Sequence, residues 1–453
     1  MKVTGFSRFP ERGGRSLPAR HDSGEGFRWW RLSVLLGFAF VLHLSVAEPV
    51  SPQAAPFFRF RDLTLGYTGP EETFTNLTEV RIAWFGPTNL DDPLTGDLWW
   101  AANLAVSEAN EQNERLRNAE LEAPNSELGR LPFRLVPRWA VDPWGTGVSQ
   151  LTRLIYDEHV VAVLGSVDSP STHLAEQIVA KAQLPLISPI ATDKSVTLAG
   201  VSWMFACAPT DDAIARVLVA EVLPTLSTPT NHLVLLAATD HESRMTVREV
   251  IKEFRRQGRT PDFRFDVPPG ALDTARQLAA IAQRQPAAVL IVAGVEDAAR
   301  LVSAVRAIAP ASTLFGSHSM GRTRFLTLAG RAAEGVRFPL LFVPDATDPL
   351  AARFIERFRA ERRRQPDYTA ALVYDSTRLL LEAIRRSGLN RARIREAIPP
   401  LSPWTGVAGT IRWDGTGHNT RTNIGMGTVR NGAIVPLTPN GRLDTTTKAA
   451  AVE

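Results

Sequence analysis

Short apolar runs alternate with segments of helical period along most of this chain. Runs bounded by turn residues read as buried strands. They fall at Val80–Phe85, Phe133–Arg138, Val160–Leu164, Pro185–Ser188, His232–Ala237, Phe263–Val267, Ala287–Ala293 and Thr313–Phe315. Between them, apolar residues recur at helical spacing in Asp97–Asn113, Thr146–Glu158, Thr172–Gln183, Asp211–Leu223, Thr246–Gln257, Thr274–Gln283 and Asp297–Ile308. Such alternation predicts an α/β protein, with parallel sheets covered by helices and a second layer starting after Pro209. The charged stretch Glu114–Arg130 has no period and reads as an insertion. Past Gly335, helices are predicted at Pro349–Arg364, Thr369–Ser387 and Arg391–Ala397. The Gly-, Thr- and Asn-rich end carries short strands at Thr410–Trp413 and Gly427–Arg430, with a hairpin signal at Asn431-Gly432.

Val160–Thr197 organises the pattern. It reads strand, polar loop (Gly165–Ser171), helix, strand and a second polar loop (Pro189–Asp193). That is a βαβ unit with a right-handed crossover. Both loops then leave the carboxyl edge of one parallel sheet, where open α/β sheets bind small ligands. Hydroxyls and free N–H groups at a helix start suit a carboxylate. Ser169, Ser171, Thr172 and Thr192 are therefore the first candidates for a site.

Composition changes this picture in three ways. The chain of 453 residues is 44% hydrophobic and 22% charged, a globular balance. Met1–Ala47 holds seven Lys/Arg against three Asp/Glu, and the remainder is balanced at 44 against 44. The basic excess thus belongs to the leader and gives no reason to expect a nucleic-acid partner. A lone cysteine, Cys207, excludes an intrachain disulfide and a multi-cysteine metal site. Within the leader, Leu32–Val46 is a short apolar run behind Arg28 and Arg31, and Ser45-Val46-Ala47 offers a small-x-small exit. This reads as a secretory signal, or as an anchor with Trp29 and Trp30 at its interface end. The proline-rich Glu48–Thr78 reads as a tether.

Catalytic constellations are missing. No P-loop or HExxH is present, and the Gly-x-Gly of Trp144–Gln150 lacks its third glycine. Ser317-His318-Ser319-Met320-Gly321 approaches a nucleophile elbow, but Ser317 stands at the first glycine. The histidines include no pair at metal-ligand spacing, so His241 and His318 read as ordinary loop residues. Trp84, Trp99, Trp100 and Trp144 read as core, and the arginines of Arg353–Arg364 as a solvated helix face. No enzyme activity, metal or cofactor is expected.

Several patterns, in order, resemble the periplasmic solute-binding proteins of the branched-chain amino acid class. They are Gly86-Pro87 after the first strand, the helix Ala101–Asn110, Asp142-Pro143, Gly165–Ser171 with Ile187–Thr192, Ala371–Asp375, and Gly406–Gly417. The resemblance spans Val80 to Leu437. It implies two doubly wound parallel-sheet lobes joined by a three-stranded hinge, with the ligand held between them. Crossovers would fall near Ala208–Asp211, Phe338–Val343 and Gly406–Thr410. One lobe would be 79–208 with 343–406 and the other 209–342 with 407–440, after a 1–47 signal or anchor and a 48–78 linker, and before a 441–453 tail. By position, Ser169, Ile190 and Thr192 match the residues that hold the ligand's carboxylate. Two positions depart from the family. Glu242-Ser243 replaces the usual tyrosine-glycine, and His318 stands at the acidic residue that receives an ammonium group. Glu242 or Asp240 is the candidate substitute for that acid, with His318 and Glu242 setting which ligand fits.

The function implied is an exported, monomeric protein of the periplasm or cell envelope. It would deliver a small polar ligand (amino acid, amide or small carboxylate) to the permease of an ABC importer. The alternative is a ligand-sensing ectodomain working with a signalling partner. In either case the membrane is met only through the N-terminal segment. Mass spectrometry of the protein from its native envelope is expected to find Glu48 as the first residue. A chain beginning at Met1 in a soluble cytoplasmic fraction would contradict export.

Overall fold

A computed structural model describes residues 77–118, 131–140, 143–198, 201–228, 230–271 and 273–437. The expected leader, nearly all of the tether, Asp142 and the tail lie outside these residues. The chain divides into units Met1–Ala55 and Pro56–Glu453, and every described residue belongs to the second.

The first sheet holds β1 (Val80–Phe85), β2 (Phe133–Arg138), β3 (Val163–Gly165), β4 (Leu186–Ser188) and β5 (Met204–Ala206). Among the described residues its order is β2-β1-β3-β4-β5, with each pair parallel. Val80 stands opposite Phe133, and Leu186 opposite Met204. Helices α1 (Gly96–Asn118), α2 (Val148–Tyr156), α3 (Ser169–Ala182) and α4 (Ser195–Leu198) connect these strands. β5 and α4 were not expected, because three or four residues are too few to show a period.

α3 starts earlier than its apolar period shows. Asp168 is its extended N-cap and accepts the Ser171 N–H at 2.8 Å. Pro170 in the first turn has no N–H to leave unpaired, so it fits a helix start rather than a loop.

The second lobe begins with α5 (Asp211–Val222), β6 (Leu233–Ala238), α6 (His241–Arg256), β7 (Phe263–Val267), α7 (Ala275–Arg284) and β8 (Ala288–Val292). It continues through α8 (Val295–Ile308), β9 (Thr313–Gly316), α9 (Thr323–Ala329) and β10 (Arg337–Leu340). Asp240 caps α6 by accepting the Ser243 N–H at 2.9 Å and its hydroxyl at 2.7 Å, so Glu242 lies in a first turn and not in a loop.

The chain then returns to the first lobe. α10 (Pro349–Arg362), α11 (Tyr368–Ser387) and α12 (Arg391–Ala397) follow. Phe354, Phe358, Tyr374 and Leu380 share one core with Val80, Ile82 and Trp84. Arg362 and Arg364 do not join a solvated face. They hold the buried Asp97 of α1 at 2.9 and 2.7 Å. β11 (Trp404–Gly406) and β12 (Gly409–Ile411) form a separate antiparallel ribbon.

The third passage falls later than Gly406–Thr410. Trp413 Nε1 donates to the Ala206 carbonyl at 2.7 Å, and Asn419 Nδ2 to that of Cys207 at 2.6 Å. Residues 413–419 therefore lie along β5, and the chain enters the second sheet with β13 (Gly425–Arg430) and β14 (Ala433–Leu437). That sheet runs β14-β13-β10-β9-β8-β6-β7. Its last two strands form a hairpin whose turn residues, Asn431 and Gly432, have φ of 50° and 74°, as a type I′ turn requires. Phe338–Leu340, expected as crossover, pairs with β13 inside this sheet.

A buried acid ties the long helix α11 to the ribbon. Asp375 accepts the N–H groups of Val407 and Ala408 at 2.8 and 2.7 Å. Burial pushes its carboxyl up to about 7, against the pull of those two bonds. A Cβ on Gly406 would stand 2.2 Å from the same carboxylate. Cys207 is fully buried, and burial pushes its thiol up to about 12. Among the described residues no helix is long and apolar enough to cross a membrane.

Gly406→Ala should destabilise the fold by about 1–3 kcal/mol, because the added methyl has no room. Urea unfolding at equilibrium measures it, and an unchanged midpoint would contradict the close approach.

Candidate functional site

The carboxyl edge of the first sheet supplies one wall of the cleft. Ser169, the first residue of α3, is fully buried. Its hydroxyl accepts the Asp193 N–H at 3.4 Å. Thr192 is 1% exposed, and its carbonyl accepts the Asp211 N–H at 2.8 Å. Among the described residues its hydroxyl has no partner. Ile190 is half-buried against the first core. Ser171 and Thr172 sit at the same edge but are bonded within the turn before α3 and to the end of β4. The Ser171 hydroxyl bonds Ser166 at 2.7 Å and also Asp168. Thr172 bonds the Asp168 carbonyl at 2.7 Å and Ser188 at 3.2 Å. Their hydroxyls join the start of α3 to the ends of β3 and β4.

The second lobe meets this edge with a carboxylate. Glu242 Oε1 accepts the Ser169 backbone N–H at 2.5 Å. A side chain from one lobe thus occupies the anion position at the helix N-terminus of the other. Burial pushes Glu242 up to about 7, helped by repulsion from Asp168 and opposed by the Ser169 N–H. Asp240, the other candidate, is engaged in capping α6.

Asp211 completes the wall, and reading the sequence missed it. An acidic pair at a helix start reads as a dipole preference, and for Asp212 that holds, since it faces Arg216 at 2.9 Å. Asp211 instead turns inward and is 1% exposed. Thr246 donates to its Oδ1 at 2.8 Å, while Oδ2 has no partner among the described residues. Burial pushes this carboxyl up to about 8, with Glu242 adding to the rise. The Thr192 hydroxyl lies close enough to favour the charged form without being aligned as a hydrogen bond.

His318 opens the turn after β9, with its ring 5.7 Å from that of Tyr368. Burial, then Arg322, pushes it down to about 4, so it is a neutral imidazole. Arg322 itself is paired with the buried Asp367 at 3.2 Å.

A third group lies beside Thr192. His173 Nε2 and His241 Nε2 stand 3.2 and 3.0 Å from one oxygen of Asp193. The Asp193 carboxylate, which accepts from the His173 ring, and the nearby Glu176 carboxylate push His173 up to about 9. Asp193 is held well below the usual carboxylate range by His173 and Ser195, in spite of its burial. The two histidines lie 20 and 48 residues from Asp193, so no local spacing announces them.

Comparisons with known proteins agree with this architecture. The chain matches none of the curated proteins compared with it. Among solved structures, a leucine-binding protein LivK from Thermotoga maritima is 21% identical, with a TM-score of 0.67 over 79% of this chain and 98% of its own. The LivJ substrate-binding protein of Streptococcus pneumoniae, in complex with isoleucine, is 20% identical, with a TM-score of 0.66 over 79% and 97%. A solute-binding protein of R. palustris, in complex with benzoate, is 16% identical, with a TM-score of 0.66 over 79% and 95%. These likenesses carry the fold. The family model for periplasmic binding proteins matches residues 80–433, most of the chain. With two parallel-sheet lobes facing one another across buried polar groups, the chain belongs to the periplasmic binding protein family.

Proposed function

We propose that this chain captures a small solute bearing a cationic group, of the amino acid class, and delivers it to the permease of an ABC importer. One observation carries the ligand class. Asp211 is a desolvated carboxyl that the neighbouring Glu242, itself raised by desolvation, pushes up further, and one Asp211 oxygen has no partner among the described residues. An ammonium group supplies both the charge and the donors they need. His318 is neutral and cannot do so, but the role passes to acids on other elements.

The anionic end of the solute would take the Ser169 N–H, with the Thr192 hydroxyl beside it. Glu242 holds that N–H now, so a solute carboxylate displaces it and frees it to face the ammonium group. The swap couples binding to contact between the lobes, and lobe closure follows as a population shift. Ile190 and His318 then border the side chain and select its shape. In this reading the N-terminal segment directs export, and the lobes divide at the passages near residues 208, 341 and 424.

Two measurements test this site. In calorimetry, Asp211→Asn should weaken solute binding at least tenfold, because a bond to a charged group contributes about 1.5–3 kcal/mol. Thr192→Ala, which removes the hydroxyl offered to the solute, should also weaken binding while the fold survives, whereas Ser169→Ala keeps the backbone N–H and should have the smaller effect. Unchanged affinity in the Asp211→Asn and Thr192→Ala proteins would leave these residues only a capping role.

The second measurement is the stability of the solute-free protein against pH. The folded carboxyl of Asp211 titrates near 8, above its ordinary 3.8, so the folded state binds the extra proton. Stability from this group is full below about pH 4 and falls as pH rises towards 8, by up to about 1.4 kcal/mol per pH unit. Asp211→Asn should remove that part of the slope in urea unfolding. A slope equal to wild type would contradict a buried, unpaired Asp211.

A further inference from the structure

We propose that His173, Asp193 and His241 form a site for a divalent transition metal, such as zinc, that bridges the two lobes. Neither solute binding nor the fold requires such a site, and it uses none of the residues assigned above to the solute. Their donor atoms all lie within 4.8 Å of one another. Asp193 Oδ2 stands 3.2 Å from His173 Nε2 and 3.0 Å from His241 Nε2. A tetrahedral sphere with ligands at about 2.0–2.1 Å spaces neighbouring donors by about 3.3 Å. An ion can therefore enter with small side-chain shifts. Two imidazoles and one carboxylate suit zinc and its neighbours in the first transition row, and not calcium or magnesium.

A second, independent observation points the same way. Glu176 is 3% exposed, and its Oε2 lies 3.4 Å from His173 Nδ1, with no hydrogen-bonded partner among the described residues. A carboxylate behind the far nitrogen of a ligating histidine is the usual outer support of a metal site, because it orients the ring. The site is also enclosed at its base, since the Asp193 side chain is fully buried. The other groups facing this cluster are the Ser195 N–H, 2.8 Å from Asp193, the Ser195 hydroxyl, 3.1 Å from His173 Nε2, and Arg248, whose half-exposed side chain reaches the second Asp193 oxygen at 4.0 Å. The Ser195 hydroxyl would have to release His173 Nε2 when an ion enters.

The ligands come from both lobes. His173 lies on α3 and Asp193 on the loop after β4, while His241 opens α6 in the second lobe. A metal held by all three binds the conformation in which the lobes meet, and stabilises it by mass action. The fourth position remains for water or for a donor atom of the solute.

The test uses the full chain without a polyhistidine tag, stripped with EDTA and titrated with Zn2+ alone. One Zn2+ per chain is expected by calorimetry, with a matching rise in melting temperature that EDTA reverses. His241→Ala and His173→Ala should each weaken binding at least tenfold, and Glu176→Gln about tenfold. His241 is 39% exposed, so its variant should keep the fold, which circular dichroism checks. Absence of Zn2+ binding to the wild type, or equal affinity in a folded His241→Ala protein, would overturn the proposal. No solute is present, so a failure of the solute reading leaves this result standing, and the reverse also holds.

Discussion

Two buried carboxylates, Asp193 and Asp211, and the half-buried Glu242 set the terms for the cleft. Asp193, Asp211 and Glu242 all approach the carboxyl edge of the first sheet, where Ser169 and Thr192 sit. Desolvating several like charges together is costly unless each finds a partner. Asp193 finds two histidines, and Glu242 finds the N–H at the start of α3. Asp211 is left with one satisfied oxygen. The two lobes therefore meet through a polar surface that is incomplete by roughly one cation.

Elsewhere the same chemistry holds the scaffold in place. Asp375 fixes the turn of the β11–β12 ribbon to α11 through two N–H groups, and Gly406 leaves room for it. Asp367 caps α11 and pairs with Arg322 from the second lobe. Arg322 also donates to the Leu94 carbonyl at 2.7 Å. These acids are satisfied in full and link segments far apart in sequence. The Asp375 contacts stiffen the first lobe from within, whereas the Arg322 contacts run from one lobe to the other and join them directly.

The strand and helix alternation was legible in the sequence because the inner strands, such as β6 and β8, are buried on both faces and read as unbroken apolar runs. Short elements such as β5 and α4 carried no period. Helix starts were read late at α3 and α6, because polar capping turns look like loops until Asp168 and Asp240 are seen to accept N–H groups. Ser169, Thr192 and Glu242 were legible through the βαβ unit and the family resemblance. Asp211 was not, since a first-turn acid has the same local pattern whether it faces water or the cleft. His173 and His241 were hidden for a different reason, because only the meeting of the lobes brings them together. The joint likeness of Ala371–Asp375 and Gly406–Gly417 to the family has a physical basis in the Asp375 contact.

The central claim is that the cleft lacks one cation, which the solute brings. It is tested most directly by calorimetry at pH 7 on matched pairs, each common amino acid beside the carboxylic acid that lacks its amino group. The tightest binder is expected to carry an ammonium group and to lose at least tenfold in affinity without it. A carboxylic acid that binds as tightly as its amino partner would contradict the claim.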